Sequence, residues 1–92
     1  MSRYDWDPVK AEANRRRHGV SFDEAQSVVE SPLSHRIADP NHSEIEERMR
    51  IVGWSISGRL IAVVVSTSGL RPRIISARRA TKRERHEYDS AE

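Results

Sequence analysis

Hydrophobic and polar positions change their period near residue 35, and the two parts of the chain predict different elements. Before that point, Phe22, Ala25 and Val28 recur at helical spacing. After it, apolar and polar residues alternate, as they do along a strand with one buried face. The pattern therefore predicts helices first and a sheet afterwards.

The first predicted helix begins at Asp7-Pro8, because Asp is a good N-cap and Pro suits the first helical position. It runs to about His18 and ends at Gly19, a natural C-terminal cap. We expect a thin apolar face made mainly of Val9 and Ala13. Three polar residues recur at helical spacing and so share a face: Lys10, Asn14 and Arg17.

A second helix is predicted by the Ser21 to Glu24 segment, which matches a capping box, and it ends at Ser31-Pro32. The Gly19 turn joins the two helices into a helical hairpin. Residues Arg3 to Trp6 are a candidate edge strand. An open edge of this kind is a natural docking place for a partner's strand.

Four strands are predicted at residues 35–39, 48–56, 60–65 and 73–78. Residues 60–65 are apolar on both faces, which indicates a central strand. The short loops between the last three strands favour an antiparallel meander. A second capping box at Thr81 to Glu84 predicts a final helix from about residue 82 towards 89. The fold class is α+β, with a helical hairpin and a C-terminal helix on a small antiparallel sheet.

Composition predicts one folded domain over residues 1–92, since charged residues make up 33% and hydrophobic residues 36% of the chain. The formal charge of +2 is too small to indicate a nucleic-acid partner by itself. Its distribution is more informative, because residues 71–85 hold seven basic side chains and one acid, Glu84. Most are arginines, which suit bidentate phosphate contacts.

The chain contains no cysteine, which excludes disulfides and thiolate metal sites. No signal peptide is visible at the N-terminus, and the longest apolar run is too short to span a bilayer. These features favour a cytoplasmic protein with no membrane partner.

The chain resembles the BrnT family of ribonuclease toxins from bacterial type II toxin–antitoxin systems. The resemblance extends in order over nearly the whole chain. Its main segments are Trp6-Asp7-Pro8, Arg17-His18-Gly19-Val20-Ser21-Phe22, Asp39-Pro40-Asn41-His42-Ser43, Gly58-Arg59-Leu60 and Arg73-Ile74-Ile75-Ser76-Ala77-Arg78. Four single residues also match: Lys10, Asn14, Glu84 and Tyr88. Two positions stand apart: Arg17 occupies a place where the family often has lysine, and Trp54 lies where the family varies.

The resemblance implies a compact RelE-like ribonuclease that blocks translation and growth until an antitoxin neutralises it. The partner it implies is a BrnA-like ribbon-helix-helix antitoxin. Only the antitoxin in this complex would contact operator DNA. We expect no cofactor and no metal, because the RNA's own 2′-hydroxyl can attack the adjacent phosphate. The enzyme's tasks are then alignment, proton transfer and stabilisation of negative charge.

Arg59 and Arg78 are the predicted phosphate clamp. Arg59 precedes the central strand and Arg78 closes the last one, and adjacent antiparallel strands can bring these ends together. Strand-terminal arginines are also commonly solvated. Only the family resemblance favours the clamp over that alternative.

The candidates for proton transfer are His18, Glu84 and Tyr88. An imidazole exchanges protons near neutral pH, and His18 could instead cap the last turn of its helix. Glu84 has a structural alternative in the Thr81 capping box. Tyr88 could stack on a base or anchor the last helix to the sheet.

The predicted RNA-binding residues are cations near these positions: Lys10, Arg17, Arg79 and Lys82. Arg17 keeps a positive charge but cannot act in proton transfer. A metal site at Asp39, His42 and Glu44 is disfavoured, because these residues lie in a loop without supporting helical spacing.

Two alternatives to a ribonuclease stay open. The cluster from Arg71 to Arg85 could belong to a non-catalytic module that binds nucleic acid, with salt-sensitive affinity and no strand scission. The same cluster could also serve only to meet an acidic protein partner. Titratable residues close to arginines favour the ribonuclease, because a binding module does not need them.

Overall fold

The computed structural model describes residues 4–37 and 47–91. Within these residues the chain forms two helices, four strands and a final helix. In chain order the elements are α1 (Pro8–His18), α2 (Phe22–Val29), β1 (His35–Ile37), β2 (Arg48–Trp54), β3 (Leu60–Ser66), β4 (Arg73–Arg79) and α3 (Lys82–Ser90). The predicted α+β architecture is confirmed.

The four strands form one antiparallel sheet in the order β1-β2-β3-β4. As predicted, β3 is central and largely buried on both faces. Strand β2 ends at Trp54, before the predicted limit of Ile56, because the chain turns at Ser55, whose backbone N–H donates to the Arg59 carbonyl at 2.8 Å. The part of the first predicted strand at residues 38 and 39 lies outside the described residues.

The N-terminal segment does not form the predicted edge strand within the described residues. Asp5 makes one isolated parallel bridge to Arg73 on the outer edge of β4. Its backbone N–H donates to the Pro72 carbonyl at 3.0 Å, and its carbonyl accepts from Ile74 at 2.9 Å. This segment therefore covers part of the β4 edge.

Helix α1 has the predicted caps but not the predicted buried face. The Asp7 side chain accepts from the Val9 N–H at 2.9 Å, and Gly19 adopts a left-handed φ of 70° after the last turn. Val9 and Ala13 are exposed, so the prediction of an apolar face there was wrong. The buried residue of the helix is Asn14, which makes hydrogen bonds that an alanine or valine cannot.

The main core lies between the helical hairpin and one face of the sheet. Phe22, Ala25 and Val28 of α2 pack against the strands, as their spacing predicted. The remaining buried members of this core are Val20, Ile61, Val63, Val65, Ile74 and Ala77. We call this side of the sheet the hairpin face.

A smaller core lies under α3 on the opposite side of the sheet, which we call the α3 face. Its buried members are Ile37, Val52, Leu60 and Ala62, with Ala80 and Tyr88 packed against them. Thr81 and Glu84 form the complete predicted capping box at the start of α3. In the part of the chain that the structure describes, no helix has the length and apolar character needed to cross a bilayer.

Candidate active site

A cationic cavity of about 390 Å³ lies between the first turn of α1 and strands β2, β3 and β4. Four cations reach it, and none of the described residues that line it is acidic. We call it the arginine cavity; its lining residues are Lys10, Arg48, Met49, Arg50, Val64, Ile75, Ser76 and Arg78. Such a concentration of positive charge suits a phosphate group.

Strand alternation explains why arginines from different strands meet here. Arg50 is paired with Val64 across β2 and β3, and Arg78 is paired with Ala62 across β3 and β4. Ala62 belongs to the core of the α3 face, and Arg50 and Arg78 both contact the α3 residue Glu84. The two guanidinium groups therefore lie on the same side of the sheet.

Glu84 fixes these two arginines in place. Its Oε1 accepts from Arg78 at 2.7 Å and from the Thr81 N–H at 2.9 Å. Its Oε2 accepts from Arg78 at 2.9 Å and from Arg50 at 3.0 Å. Only 2% of Glu84 is exposed, so the carboxylate is both buried and fully hydrogen-bonded.

The electrostatics of Glu84 favour an anchoring role over proton transfer. Burial raises the pKa of the Glu84 carboxyl, but hydrogen bonds from Arg78 and the Thr81 backbone, with the charges of Arg78 and Arg50, bring the pKa below its ordinary value. A carboxylate that stays ionised and has both oxygens occupied is poorly suited to accept a proton from RNA. The structural alternative for Glu84 is the one that the geometry favours.

Arg59 does not join Arg78 in a clamp. Its guanidinium lies on the hairpin face, where Nε donates to Glu24 at 3.0 Å and Nη2 donates to Glu24 and to the Gly19 carbonyl at 3.0 Å. Arg78 instead contacts Glu84 on the α3 face. The strand ends are close, but alternation sends the two side chains to opposite faces, so the predicted pairing was wrong.

The bond from Arg59 also explains why the capping box of α2 is only half formed. Ser21 Oγ accepts from the Glu24 N–H at 3.0 Å, as predicted. The Glu24 carboxylate, however, accepts from Arg59 and from Ser55 and Ser57 of the β2–β3 turn. Hydrogen bonds from Arg59 lower the pKa of Glu24 to about 2, although burial opposes them and the two serines assist.

His18 and Arg17 lie along a wide groove of about 1100 Å³ beside α1. Lys10, Ile75 and Ser76 line both this groove and the arginine cavity, so the two are continuous. We call it the α1 groove. His18 follows Lys10 by eight positions, which is about 12 Å along a helix axis. His18 lines the α1 groove but not the arginine cavity, which contains Arg78.

Tyr88 anchors the last helix to the sheet. Its hydroxyl donates to the Leu33 carbonyl at 3.1 Å, and its ring meets His35 edge to face at 5.0 Å between centroids. Tyr88 lines neither the arginine cavity nor the α1 groove. The geometry thus favours the anchoring alternative over contact with RNA.

The predicted RNA-binding cations separate into different places. Lys10 lines both the arginine cavity and the α1 groove, and Arg17 lines the groove alone. Arg79 lines a separate cavity beside Trp54. Lys82 is exposed at the start of α3 and lines none of these three. The basic run from Arg71 to Arg85 is therefore not one continuous surface.

Sequence reasoning missed Arg48 and Arg50 in the cavity and the structural role of Asn14. A signal for Arg50 was present, because it alternates with Val52 and Trp54 on one face of β2. A charged residue on a half-buried strand face needs a partner or a function. The pattern gave no indication that the partner would be Glu84 from α3.

A metal centre finds no support in the described residues. Across residues 4–37 and 47–91 no group of three His, Asp or Glu side chains is placed to hold an ion. The disfavoured candidates Asp39, His42 and Glu44 lie outside the described residues.

Comparison with known proteins agrees with this architecture. The chain is similar to the ribonuclease toxin BrnT of Brucella abortus, known from a crystal structure at 1.1 Å resolution, with a TM-score of 0.64 over 86% of this chain and 96% of that one. The sequence identity is 21%, so this likeness supports the fold alone. None of the curated proteins compared with the chain matches it.

A sequence model of one protein family matches most of the chain. The family is described as "Ribonuclease toxin, BrnT, of type II toxin-antitoxin system", and the match covers residues 6–84. That range includes α1, the arginine cavity and the Glu84 anchor. The chain therefore belongs to the BrnT family of ribonuclease toxins of type II toxin–antitoxin systems.

Proposed function

We propose that this chain cleaves RNA without a metal ion and that the arginine cavity is its active site. The 2′-hydroxyl of a bound nucleotide attacks its own 3′ phosphate, and the bond from phosphorus to the 5′ oxygen of the next nucleotide breaks. The 2′ proton leaves and the 5′ oxygen gains one. The products are a 2′,3′-cyclic phosphate and a 5′-hydroxyl.

The observation that carries the proposal is the anchoring of two arginines by a buried carboxylate. Arg50 and Arg78 are held by Glu84 at 2.7 to 3.0 Å beside the cavity. Their donors are thus oriented before RNA arrives, and pre-oriented donors stabilise developing negative charge well. In-line attack also needs an aligned phosphate, which such a support favours.

Lys10 is the cation best suited to act during the reaction. Its side chain is exposed and makes no hydrogen bond or ion pair within the described residues, yet it lines the cavity that contains Arg78. It can therefore approach the phosphate, stabilise the charge or protonate the leaving 5′ oxygen. His18 lies farther along the α1 groove, and its role in proton transfer remains a prediction.

We also propose a partner and a site of action. Membership of a type II toxin–antitoxin family implies a cognate antitoxin. The expected partner is a BrnA-like protein with a ribbon-helix-helix domain, which neutralises the toxin and connects the complex to operator DNA. When the antitoxin is absent, the toxin would block translation in the cytoplasm.

The first test is cleavage of an end-labelled RNA by the purified chain in excess EDTA. Fragments ending in a cyclic phosphate are expected from the unaltered protein. Lys10→Ala should slow cleavage by about 100-fold, the scale of losing one charge-stabilising donor at a transition state. Arg83→Ala is the matched control, since its side chain is 91% exposed on α3 and it lines neither the cavity nor the groove.

The opposite results would separate the alternatives. Equal loss in both variants would show that general positive charge matters and would reject the arginine cavity as the active site. Salt-sensitive RNA binding without cleavage, by a folded and antitoxin-free protein, would favour the non-catalytic binding module. Cleavage that EDTA abolishes would contradict metal independence.

A further inference from the structure

A third cavity, of about 300 Å³, lies where β2 ends and β3 begins. One tryptophan and three arginines are among the residues that line it, and none of its described lining residues is acidic. We call it the Trp54 cavity; its lining residues are Trp54, Gly58, Arg59, Leu60, Arg79, Ala80 and Arg85. It differs from the arginine cavity because it contains an exposed aromatic ring.

Trp54 has an aromatic surface that the fold leaves accessible. The residue is 43% exposed, although it follows Val52, which is completely buried on the same face of β2. The guanidinium carbon of Arg85 lies 5.3 Å from the centre of the Trp54 ring. A cation over an indole face is a favourable arrangement, and both groups are planar surfaces on which a base can stack.

The arginines of this cavity are not equivalent. Arg59 is engaged by Glu24, so its charge is largely neutralised. The side chains of Arg79 and Arg85 make no hydrogen bond or ion pair within the described residues. Arg85 thus lies over the indole and Arg79 lines the same cavity, so two unengaged cations can attract an anion that carries a planar group.

We propose that the Trp54 cavity binds one unpaired nucleotide of the RNA strand whose scissile phosphate lies in the arginine cavity. The base stacks on Trp54 and Arg85, and a phosphate binds Arg79. This inference rests on the proposed function, because it assigns the cavity to the same RNA. Its ligand class is single-stranded RNA, whose bases are free to stack on aromatic and guanidinium planes.

The positions of the two cavities fit one extended strand of RNA. Arg50 and Trp54 lie on the same face of β2, four residues apart, which is about 13 Å along a strand. Both cavities also contact α3, since Glu84 engages Arg50 and Arg78 while the Arg85 guanidinium lies near the Trp54 ring. A neighbouring nucleotide can therefore reach Trp54 while a phosphate contacts Arg50.

An acidic protein segment fits this cavity less well than a nucleotide does. Carboxylates would pair with Arg79 and Arg85 but would leave the indole ring without a planar partner. A nucleotide satisfies both features, since it carries a phosphate and a base.

The test uses a short 2′-O-methyl RNA, which cannot be cleaved because it lacks the attacking hydroxyl. The Trp6→Phe substitution leaves Trp54 as the single tryptophan, so the fluorescence signal comes from Trp54 alone. Phenylalanine at position 6 still offers Phe22 an aromatic ring to contact. Stacking should quench Trp54 fluorescence on binding. In the otherwise unaltered protein, Trp54→Ala should weaken affinity for a dye-labelled oligomer by about 5- to 100-fold, and Trp54→Phe by less.

Ile56→Ala is the control, because Ile56 is 87% exposed in the adjacent turn and does not line the cavity. Thermal unfolding of each variant checks that α3 is still in place. Unquenched fluorescence together with unchanged affinity of Trp54→Ala would overturn the inference. The inference would also be overturned if Trp54→Ala weakened binding of the antitoxin but not of RNA, because that result would assign the surface to the protein partner.

The two proposals can fail separately. Quenching by the uncleavable RNA, with no cleavage of ordinary RNA, would keep the Trp54 cavity and reject the ribonuclease mechanism. Normal cleavage and normal affinity in Trp54→Ala would reject the Trp54 cavity and leave the mechanism intact.

Discussion

At the scale of single residues, the buried polar side chains of this protein join distant segments. Asn14 Nδ2 donates to the carbonyls of Val20 and Ala77 at 2.9 and 2.8 Å, and its Oδ1 accepts from the Ala77 N–H at 3.1 Å. The side chain thus takes the place of a neighbouring strand at the edge of β4. A residue that the apolar pattern did not mark holds α1 against the sheet.

Asn14→Ala should destabilise the protein by about 2 kcal/mol. Each buried backbone group that loses its hydrogen bond lowers the free energy of unfolding by about 1–3 kcal/mol. The higher helix propensity of alanine raises it by about 0.7 kcal/mol. Urea unfolding measures the difference. Val9→Ala, an exposed change on the same helix, should alter stability by less than about 0.5 kcal/mol. Equal effects in the two variants would contradict this role of Asn14.

Glu24 should make stability depend on pH in the acid range. Its pKa is lowered to about 2 in the folded state, chiefly by hydrogen bonds from Arg59, whereas an unfolded glutamate has a pKa of about 4.3. The folded protein therefore binds fewer protons between these values. The stabilisation is complete above about pH 4.5 and is lost as the pH falls towards 2.

Urea unfolding between pH 2 and 6 tests this with two matched variants. Glu24→Gln should flatten the acid loss of stability, because it removes the titrating group. Glu12→Gln is the control: hydrogen bonds from Arg15 and Arg16 lower the pKa of Glu12 to about 2 as well, but its side chain is 47% exposed and water screens the pair. If Glu12→Gln flattened the acid loss of stability as much as Glu24→Gln or more, the reasoning would be wrong.

At the scale of elements, α3 contacts residues of both the arginine cavity and the Trp54 cavity. Glu84 orients Arg50 and Arg78, the Arg85 guanidinium lies near the Trp54 ring, and Tyr88 donates to the Leu33 carbonyl. Few apolar residues of the helix are available to bury, so polar contacts position it. Any change that displaces α3 should therefore disturb the arginine cavity and the Trp54 cavity together.

Tyr88→Phe separates the anchoring role of Tyr88 from a catalytic one. It removes the hydrogen bond to Leu33 but keeps the ring contact with His35. We expect a loss of stability of about 1 kcal/mol and an unchanged rate of RNA cleavage at a temperature where the variant is folded. If the cleavage rate of the folded variant fell by about 100-fold or more, Tyr88 would have a catalytic role.

At the scale of the whole molecule, the described cations divide into those paired with acids and those without such a pair. Arg59 and Arg78 are paired with acids, and so are Arg15, Arg16 and Arg83. Lys10 and Arg79 lie at the cavities without such pairs in the described part of the chain. The small net charge of +2 therefore does not exclude local clusters of unpaired cations at the two cavities.

The salt dependence of RNA affinity should show how much each cation contributes to phosphate binding when the cations are removed one by one. For single strands, each phosphate contact contributes about 0.7 to the slope of log affinity against log salt. Lys10→Ala should reduce the slope by about that amount, and Arg83→Ala should leave it unchanged. Titrations at several salt concentrations with an uncleavable oligomer would measure both. An equal decrease in the two variants would indicate diffuse binding.

The sequence predicted the elements better than the site, and the reason is physical. Caps such as Asp7, Gly19 and Thr81 act within a few residues, so local sequence contains the whole signal. The partners of Arg59 and Arg78 depend on which face of the sheet each side chain takes, and that follows from a register that local sequence does not fix. Val9 was misassigned for a related reason, because α1 is held by the hydrogen bonds of Asn14 and not by an apolar stripe.

The contact between Asn14 and Ala77 joins residues 63 positions apart, and this has a consequence for the order of folding. The meander from β1 to β4 forms through sequential neighbours, whereas α1 can dock only after β4 exists. On the ribosome the first helix therefore waits for the residues up to β4, which takes several seconds at about 5–20 residues per second. Because Lys10 comes from that helix and Arg78 from β4, a nascent chain lacks the arginine cavity until β4 has been synthesised.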